Sequence, residues 1–221
     1  MMGIWEPMTS SGKTYRRYTN LAAAIHILQT KQITLLSTEK WDDGNDRHFM
    51  EVYQAARKLK TLVAICLAKD ADTYGHWRVF SPNADGVCIV LKKDPLVEAF
   101  NGIPGVRHGE VDYKKVALLQ AQPPAVYDLP FLKRWPYRPE GEYRVIYESR
   151  TEESLAKSFP VPKGCIHQVV LSPWMPEPLV ESVKATLKSI RGCEDIAMYQ
   201  STLIKNQLWT ALTDKAIDDG R

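Results

Sequence analysis

The sequence predicts an α+β fold, a single domain with a central mixed β-sheet flanked by helices, and three observations carry that expectation. Continuous apolar runs at 61–68 and 86–91 have the length of strands covered on both faces. Between such runs lie stretches with helical spacing, Leu21–Ile25–Leu28 early in the chain and Leu179–Val183–Leu187–Ile190 late in it. Strand-like segments recur roughly every 25 residues, with no low-complexity linker and no internal repeat between them. At 221 residues the chain can bury a sizeable core.

Composition narrows the function classes. The hydrophobic fraction is 44% and the charged fraction 25%, as in ordinary globular proteins. The net charge is +3, with lysines and arginines scattered in short pairs, too weak a field to argue for nucleic acid by itself. No apolar run approaches a membrane span, and no membrane partner is expected. The four cysteines (66, 88, 165 and 193) are far apart, and two fall inside apolar strands. That pattern predicts a cytoplasmic protein with free buried thiols and argues against zinc.

Residues 1–13 read as a loose leader and 206–221 as a polar tail, leaving 14–205 as one catalytic-like domain. Thr14-Tyr15-Arg16-Arg17-Tyr18 reads as a short strand whose two arginines point to opposite faces. Thr19 or Asn20 caps the helix that follows, and 32–36 is a further strand. Asp42-Asp43-Gly44-Asn45-Asp46 is turn chemistry, with Asn45 or Asp46 expected to cap a helix through Phe49, Val52, Tyr53, Ala56 and Leu59. Asp43 and Asp46 are also candidate Mg²⁺ or Ca²⁺ ligands, although the spacing of a calcium-binding loop is not met.

Residues 72–80 form a short helix or turn dense in aromatics, and 95–100 a brief helix. An edge strand is expected at 110–113, then an irregular arm at 120–130 containing Pro123, Pro124 and Pro130. Later come a polar helix or loop at 148–157, a strand at 165–171, a helix at 178–190 and a last strand at 196–203.

The most informative stretch runs from Lys133 to Tyr147. Glu140 and Glu142 flank Gly141, which lets the backbone bend or approach a ligand closely. From Glu142 the period is two: Glu142, Arg144 and Ile146 share one face, and Tyr143, Val145 and Tyr147 the other. An ion-pair ladder on the surface would explain the first face. A functional carboxylate pair would explain it equally well.

Four blocks resemble the bacterial family known as domain of unknown function 2971. They are Tyr15-Arg16-Arg17-Tyr18-Thr19-Asn20-Leu21 with Ile27-Leu28, then Trp41-Asp42-Asp43-Gly44-Asn45-Asp46, then Trp77 with Phe80 and Gly86-Val87-Cys88-Ile89, and last Trp135 with Glu140-Gly141-Glu142-Tyr143-Arg144. The family commonly carries His-Tyr where this chain has Val79-Phe80, and proline where it has Gly44. A second resemblance is to ADP-ribosyltransferase-like domains of the DNA-targeting toxin type. There a basic or imidazole residue stands two before a threonine, here Arg17 and Thr19, and a late Glu-x-Glu opens a strand.

That second resemblance implies a split sheet and an NAD-dependent ADP-ribosyltransferase, with NAD as substrate and no metal. It implies a bacterial toxin or phage-defence effector, a macromolecular acceptor (nucleic acid or protein) and an immunity partner. Such transfer cleaves the nicotinamide–ribose bond through an oxocarbenium-like state. Glu142 would hold the ribose hydroxyl and stabilise the developing positive charge, and Glu140 would serve the acceptor as general base. Arg17 would clamp phosphate or ribose, with Arg144 able to share that work. Trp41 or Trp77 would stack on nicotinamide, with Tyr53 and Phe80 behind them. Two alternatives stay open. One is a metal-dependent nuclease using Asp43, Asp46 and Glu142, with Arg144 where a lysine is usual; the other is a non-catalytic binding or regulatory module.

Overall fold

The computed structural model describes residues 12–69 and 72–218. In chain order the elements are β1 (Thr14–Asn20), α1 (Leu21–Thr30), β2 (Gln32–Ser37), α2 (Gly44–Ala56), β3 (Thr61–Ala68), α3 (Tyr74–Phe80), β4 (Gly86–Lys92), α4 (Lys93–Phe100) and β5 (Val106–Glu110). They continue with β6 (Asp112–Lys114), α5 (Val116–Ala121), β7 (Leu132–Arg134), β8 (Glu142–Ser149), β9 (Ala156–Pro160), β10 (Ile166–Leu171), α6 (Glu177–Lys188), β11 (Ala197–Gln200) and α7 (Gln207–Asp218). Short 3₁₀ turns at Thr38–Lys40, Val126–Phe131 and Trp135–Glu140 fill gaps between them. The expected architecture is present: a mixed β-sheet with helices packed on it in one domain.

The sheet is two half-sheets joined at a narrow waist. One half has the order β11-β10-β4-β1; the other contains β5, β8, β3, β2 and β9. β1 pairs with β4 along its whole length, and β3 with β8 along its whole length. The two halves meet through one registered pair, Arg16 opposite Ala68. Beyond it β1 and β3 diverge.

Apolar residues sort accordingly. On one face a continuous core spans both halves, from Tyr15, Val87 and Val169 to Val63, Tyr143 and Phe159, with α1 contributing Ala24, Ile27 and Leu28. On the other face the clusters are separate. Met50, Tyr53, Leu62, Ala64 and Ile146 pack under β3 and β8, while Tyr18, Ala68, Trp77, Cys88 and Val170 pack under β1, β4 and β10. The divergence opens a cleft between those two clusters.

Several local expectations are corrected. The helix after the acidic turn is capped by Asp43, whose carboxylate accepts from the Asn45 and Asp46 amides, not by Asn45 or Asp46. Asp46 is turned inward instead. The predicted edge strand 110–113 is divided between β5 and β6, and the irregular arm 120–130 contains the end of α5 and a 3₁₀ turn. Part of the expected polar segment 148–157 is the start of β9, which pairs with β2. The tail is helical over Gln207–Asp218, initiated by the Asn206 side chain accepting from the Trp209 amide. Of the leader, residues 1–11 lie outside the described residues.

Candidate active site

Glu142 opens β8, and the residue before it shapes the approach. Gly141 has φ 51° and ψ 49°, the left-handed conformation that glycine adopts without steric cost. This bend ends the 3₁₀ turn and brings Glu140 and Glu142 to the same cation. Lys133, from β7, places its Nζ 2.6 Å from Glu140, 3.5 Å from Glu142 and 3.6 Å from Asp46. The Glu142 amide donates to the Tyr113 hydroxyl at 2.9 Å, tying the strand start to β6.

Below this lies Arg144, fully buried and with its donors spent. Its guanidinium grips Asp46 through two bonds of 2.7 and 2.8 Å and Glu142 through bonds of 2.6 and 3.1 Å. A further bond of 2.8 Å goes to the Pro130 carbonyl. Trp41 stacks on the guanidinium at 4.7 Å. Three carboxylates and two cations thus form one buried network, where a surface ladder was the simpler expectation. Each carboxylate in it has a cation at ion-pair distance, which burial at this depth requires.

The two carboxylates are driven apart electrostatically. Burial pushes the Glu142 carboxyl up, but the Arg144 guanidinium, Lys133 and the Cys66 thiol together hold it down at about 2. Glu140 moves the other way: burial raises it, and the pull of Lys133 does not fully offset that. Glu142 is therefore a fixed anion, and Glu140 is the member able to exchange a proton nearer neutrality.

Arg17 reaches the same place from β1. Beyond the Arg16–Ala68 pair its Nη1 crosses the gap to the Cys66 carbonyl at 3.2 Å. Burial lowers its guanidinium, while Cys66 and Glu142 act in the opposite sense. Among the described residues the ion pairs of Glu140 and Glu142 are with Lys133 and Arg144, not with Arg17. Arg16, Arg17, Tyr18, Cys66, Phe80, Glu140 and Glu142 line one small cavity of about 30 Å³ at the split. Arg17, Tyr18 and Phe80 also line a second cavity of about 280 Å³, together with Thr19, Asn20, Ser81, Asn83 and Asp85.

The structure sorts the sequence candidates. Glu140, Glu142 and Arg17 share a cavity, and Thr19 lines the adjoining one. Arg144 lies behind Glu142, with no surface to offer a ligand, and Trp41 backs Arg144. Trp77 is wholly buried, its indole donating to Asp72 at 2.6 Å and packed edge-on to Tyr18, which removes it as a stacking platform. Tyr53 points into the core from the buried face of α2, bonded to Arg107 and Glu148. Phe80, 37% exposed, is the aromatic at the cleft rim. For the metal alternative, Asp43 is a helix cap, and Asp46 and Glu142 are engaged by Arg144 and Lys133. Among the described residues no cluster of three potential ligands is found.

Lys133 and Tyr113 are site residues that the sequence does not single out. Lys133 precedes Glu140 by seven residues, but the end of a strand and a 3₁₀ turn containing Pro136 and Pro139 join them, so no regular periodicity of the sequence signals their contact. His76 is a further structural partner: buried, stacked between Tyr18 and Phe80, with Nε2 3.1 Å from the Glu140 carbonyl.

No family profile matches the chain, and no curated protein matches it, so the resemblance to domain of unknown function 2971 gains no support there. Among solved structures the chain is similar to Thermus sp. 2.9 DarT in complex with ADP-ribosylated ssDNA, at 11% identity and a TM-score of 0.46, covering 88% of this chain and 98% of that one. The same protein in complex with NAD⁺ gives 10% identity, a TM-score of 0.44 and coverages of 88% and 98%. With carba-NAD⁺ the values are 11%, 0.43, 90% and 97%. None of the described helices is long and apolar enough to cross a membrane.

Proposed function

We propose that this protein is an ADP-ribosyltransferase that uses NAD as its substrate. One observation carries the reading: Arg17 from β1 and Glu140 and Glu142 from the start of β8 line a single cavity where the sheet splits. The chemistry needs an anion-binding guanidinium and a fixed carboxylate on either side of a ribose, and those groups are present in that order. In the reaction the bond between nicotinamide nitrogen and ribose carbon breaks, its electron pair leaving with nicotinamide. The acceptor forms the new bond to that carbon and loses a proton.

Glu142, held ionised, stabilises positive charge as it develops on the ribose. Glu140 takes the acceptor's proton, a task its upward shift suits. Arg17 binds the pyrophosphate through its planar fork. At about 30 Å³ the small cavity is smaller than a ribose, so side chains lining it must shift to admit one.

We read the acceptor as single-stranded nucleic acid. The 3₁₀ turn that ends at Glu140 carries Trp135, 40% exposed, with Arg138 4.5 Å and Lys115 5.7 Å from its ring. Arg134 is exposed beside it. A flat aromatic face among cations is what unpaired bases stack on.

The test is release of nicotinamide from NAD in the presence of a single-stranded oligonucleotide, with and without EDTA. Release should survive EDTA and fall by about a hundredfold or more in Glu142→Gln. Circular dichroism serves as the control, because glutamine still accepts from Arg144. No release and no NAD binding at millimolar concentration would overturn the reading.

A further inference from the structure

We propose that the larger cavity beside Arg17 receives the adenosine half of the dinucleotide and that Asp85 reads the ribose 2′-hydroxyl there, so that NAD, not its 2′-phosphorylated form, is the substrate. This rests on the transferase reading above. A dinucleotide has its pyrophosphate in the middle, and Arg17 lines both cavities. Glu140 and Glu142 occupy one of them and mark the end where the ribose reacts. The other nucleoside must therefore leave Arg17 in the opposite direction, toward Thr19, Asn20, Asn83 and Asp85. At about 280 Å³ that cavity lies near the lower bound for small-molecule sites.

The groups lining it divide into engaged and available ones. Asn20 caps α1, and Ser81 donates to the Thr19 carbonyl at 2.6 Å. Among the described residues the Asn83 and Asp85 side chains make no hydrogen bond or ion pair, and only their carbonyls are used. The loop that carries them is nonetheless fixed. The Asp85 carbonyl accepts from the Leu21 amide at 2.9 Å, and the Asn83 carbonyl from the Gly86 amide at 3.1 Å and from Ser172 at 2.9 Å. A Cβ at Gly86 would lie 2.5 Å from the Ser81 hydroxyl oxygen, so the turn closes only with glycine there.

Among the described residues Asp85 is the one acid lining this cavity. A carboxylate accepts hydrogen bonds from a ribose diol and repels a phosphate on the same carbon. Arg17 does not cancel that effect, because the pyrophosphate occupies it in either ligand. Asn83 supplies an amide that can both donate to and accept from the base.

The experiment is isothermal titration of the wild type, Asp85→Asn and Asn83→Ala with ADP-ribose and with its 2′-phosphate, neither of which has a nicotinamide bond to cleave. The wild type should prefer ADP-ribose by about tenfold or more, and Asp85→Asn should reduce that preference by about tenfold. Asn83→Ala should weaken both ligands together and leave the ratio in place. An equal affinity of the wild type for both ligands overturns the proposal, as does an Asp85→Asn variant that binds ADP-ribose with the ratio unchanged. Either result leaves the transferase reading standing if nicotinamide release is observed. Failure of the wild type to bind ADP-ribose or NAD at all overturns both.

Discussion

Replacing Arg144 with methionine should invert the pH dependence that Glu142 gives to stability. In the wild type the folded Glu142 carboxyl is held at about 2, against an ordinary value of 4.5. At about 1.4 kcal/mol per pH unit, that depression contributes about 3 kcal/mol. The contribution is complete above the ordinary value and is lost as pH falls from there through the folded one. Methionine removes the guanidinium that makes four bonds to Asp46 and Glu142, leaving those two buried carboxylates to share Lys133 with Glu140. At neutral pH the cost should be about 3–5 kcal/mol. Burial then dominates Glu142, its folded value rises above the ordinary one, and acid restores stability by neutralising it. Urea unfolding at about pH 7 and about pH 4 should show the gap between variant and wild type narrowing by about 1 kcal/mol or more. A gap that is constant or widens with acid would refute the claim that Arg144 keeps Glu142 ionised.

Three further outcomes follow from the same geometry. Lys133→Met should move the acid limb of nicotinamide release to higher pH by about 1 unit, since Glu140 is already raised by burial and loses its ion partner, while Lys133→Arg should restore the profile. Trp135→Ala should weaken single-stranded oligonucleotide binding by about 1–3 kcal/mol in a fluorescence anisotropy titration, with Trp135→Phe losing less. Gly141→Ala should cost about 1–2 kcal/mol in thermal or urea unfolding, because alanine must adopt the φ of 51° found there.

Much of the site was legible because it sits in a strand. Alternation puts Glu142, Arg144 and Ile146 on one face and Tyr143, Val145 and Tyr147 on the other, and the core clusters separate Ile146 from the latter three in the same way. What alternation does not give is burial. A Glu–Arg pair reads as exposed until Asp46, nearly a hundred residues earlier, supplies the second carboxylate that lets the arginine go inside. For the same reason the sequence alone offers Asp46 as a cap or a metal ligand. In a run of Asp-Asp-Gly-Asn-Asp any of several residues can cap; in the fold Asp43 does, and Asp46 is paired with Arg144. Trp77 was misplaced by a different route: an indole reads alike whether it stacks on a ligand or donates to a buried Asp72. β9 was missed because its edge-strand sequence, with Lys157 and Ser158, has the polarity expected of a loop.

The waist of the sheet explains why these charges are gathered where they are. Had β1 and β3 stayed paired beyond Arg16 and Ala68, backbone hydrogen bonds would fill the space that Arg17 now spans to reach the Cys66 carbonyl. Divergence leaves a gap that apolar side chains on one face cannot seal, since the clusters beneath the two halves are separate. The gap has a polarity along its length. At one end three carboxylates outnumber Lys133 and Arg144, which suits a group acquiring positive charge; at the other Arg17 suits a pyrophosphate. A rigid buried lattice holds the negative end, so its field needs no rearrangement when charge develops. The expensive burial of Arg144 therefore makes sense as support for Glu142, and stability alone would be served as well by an apolar core.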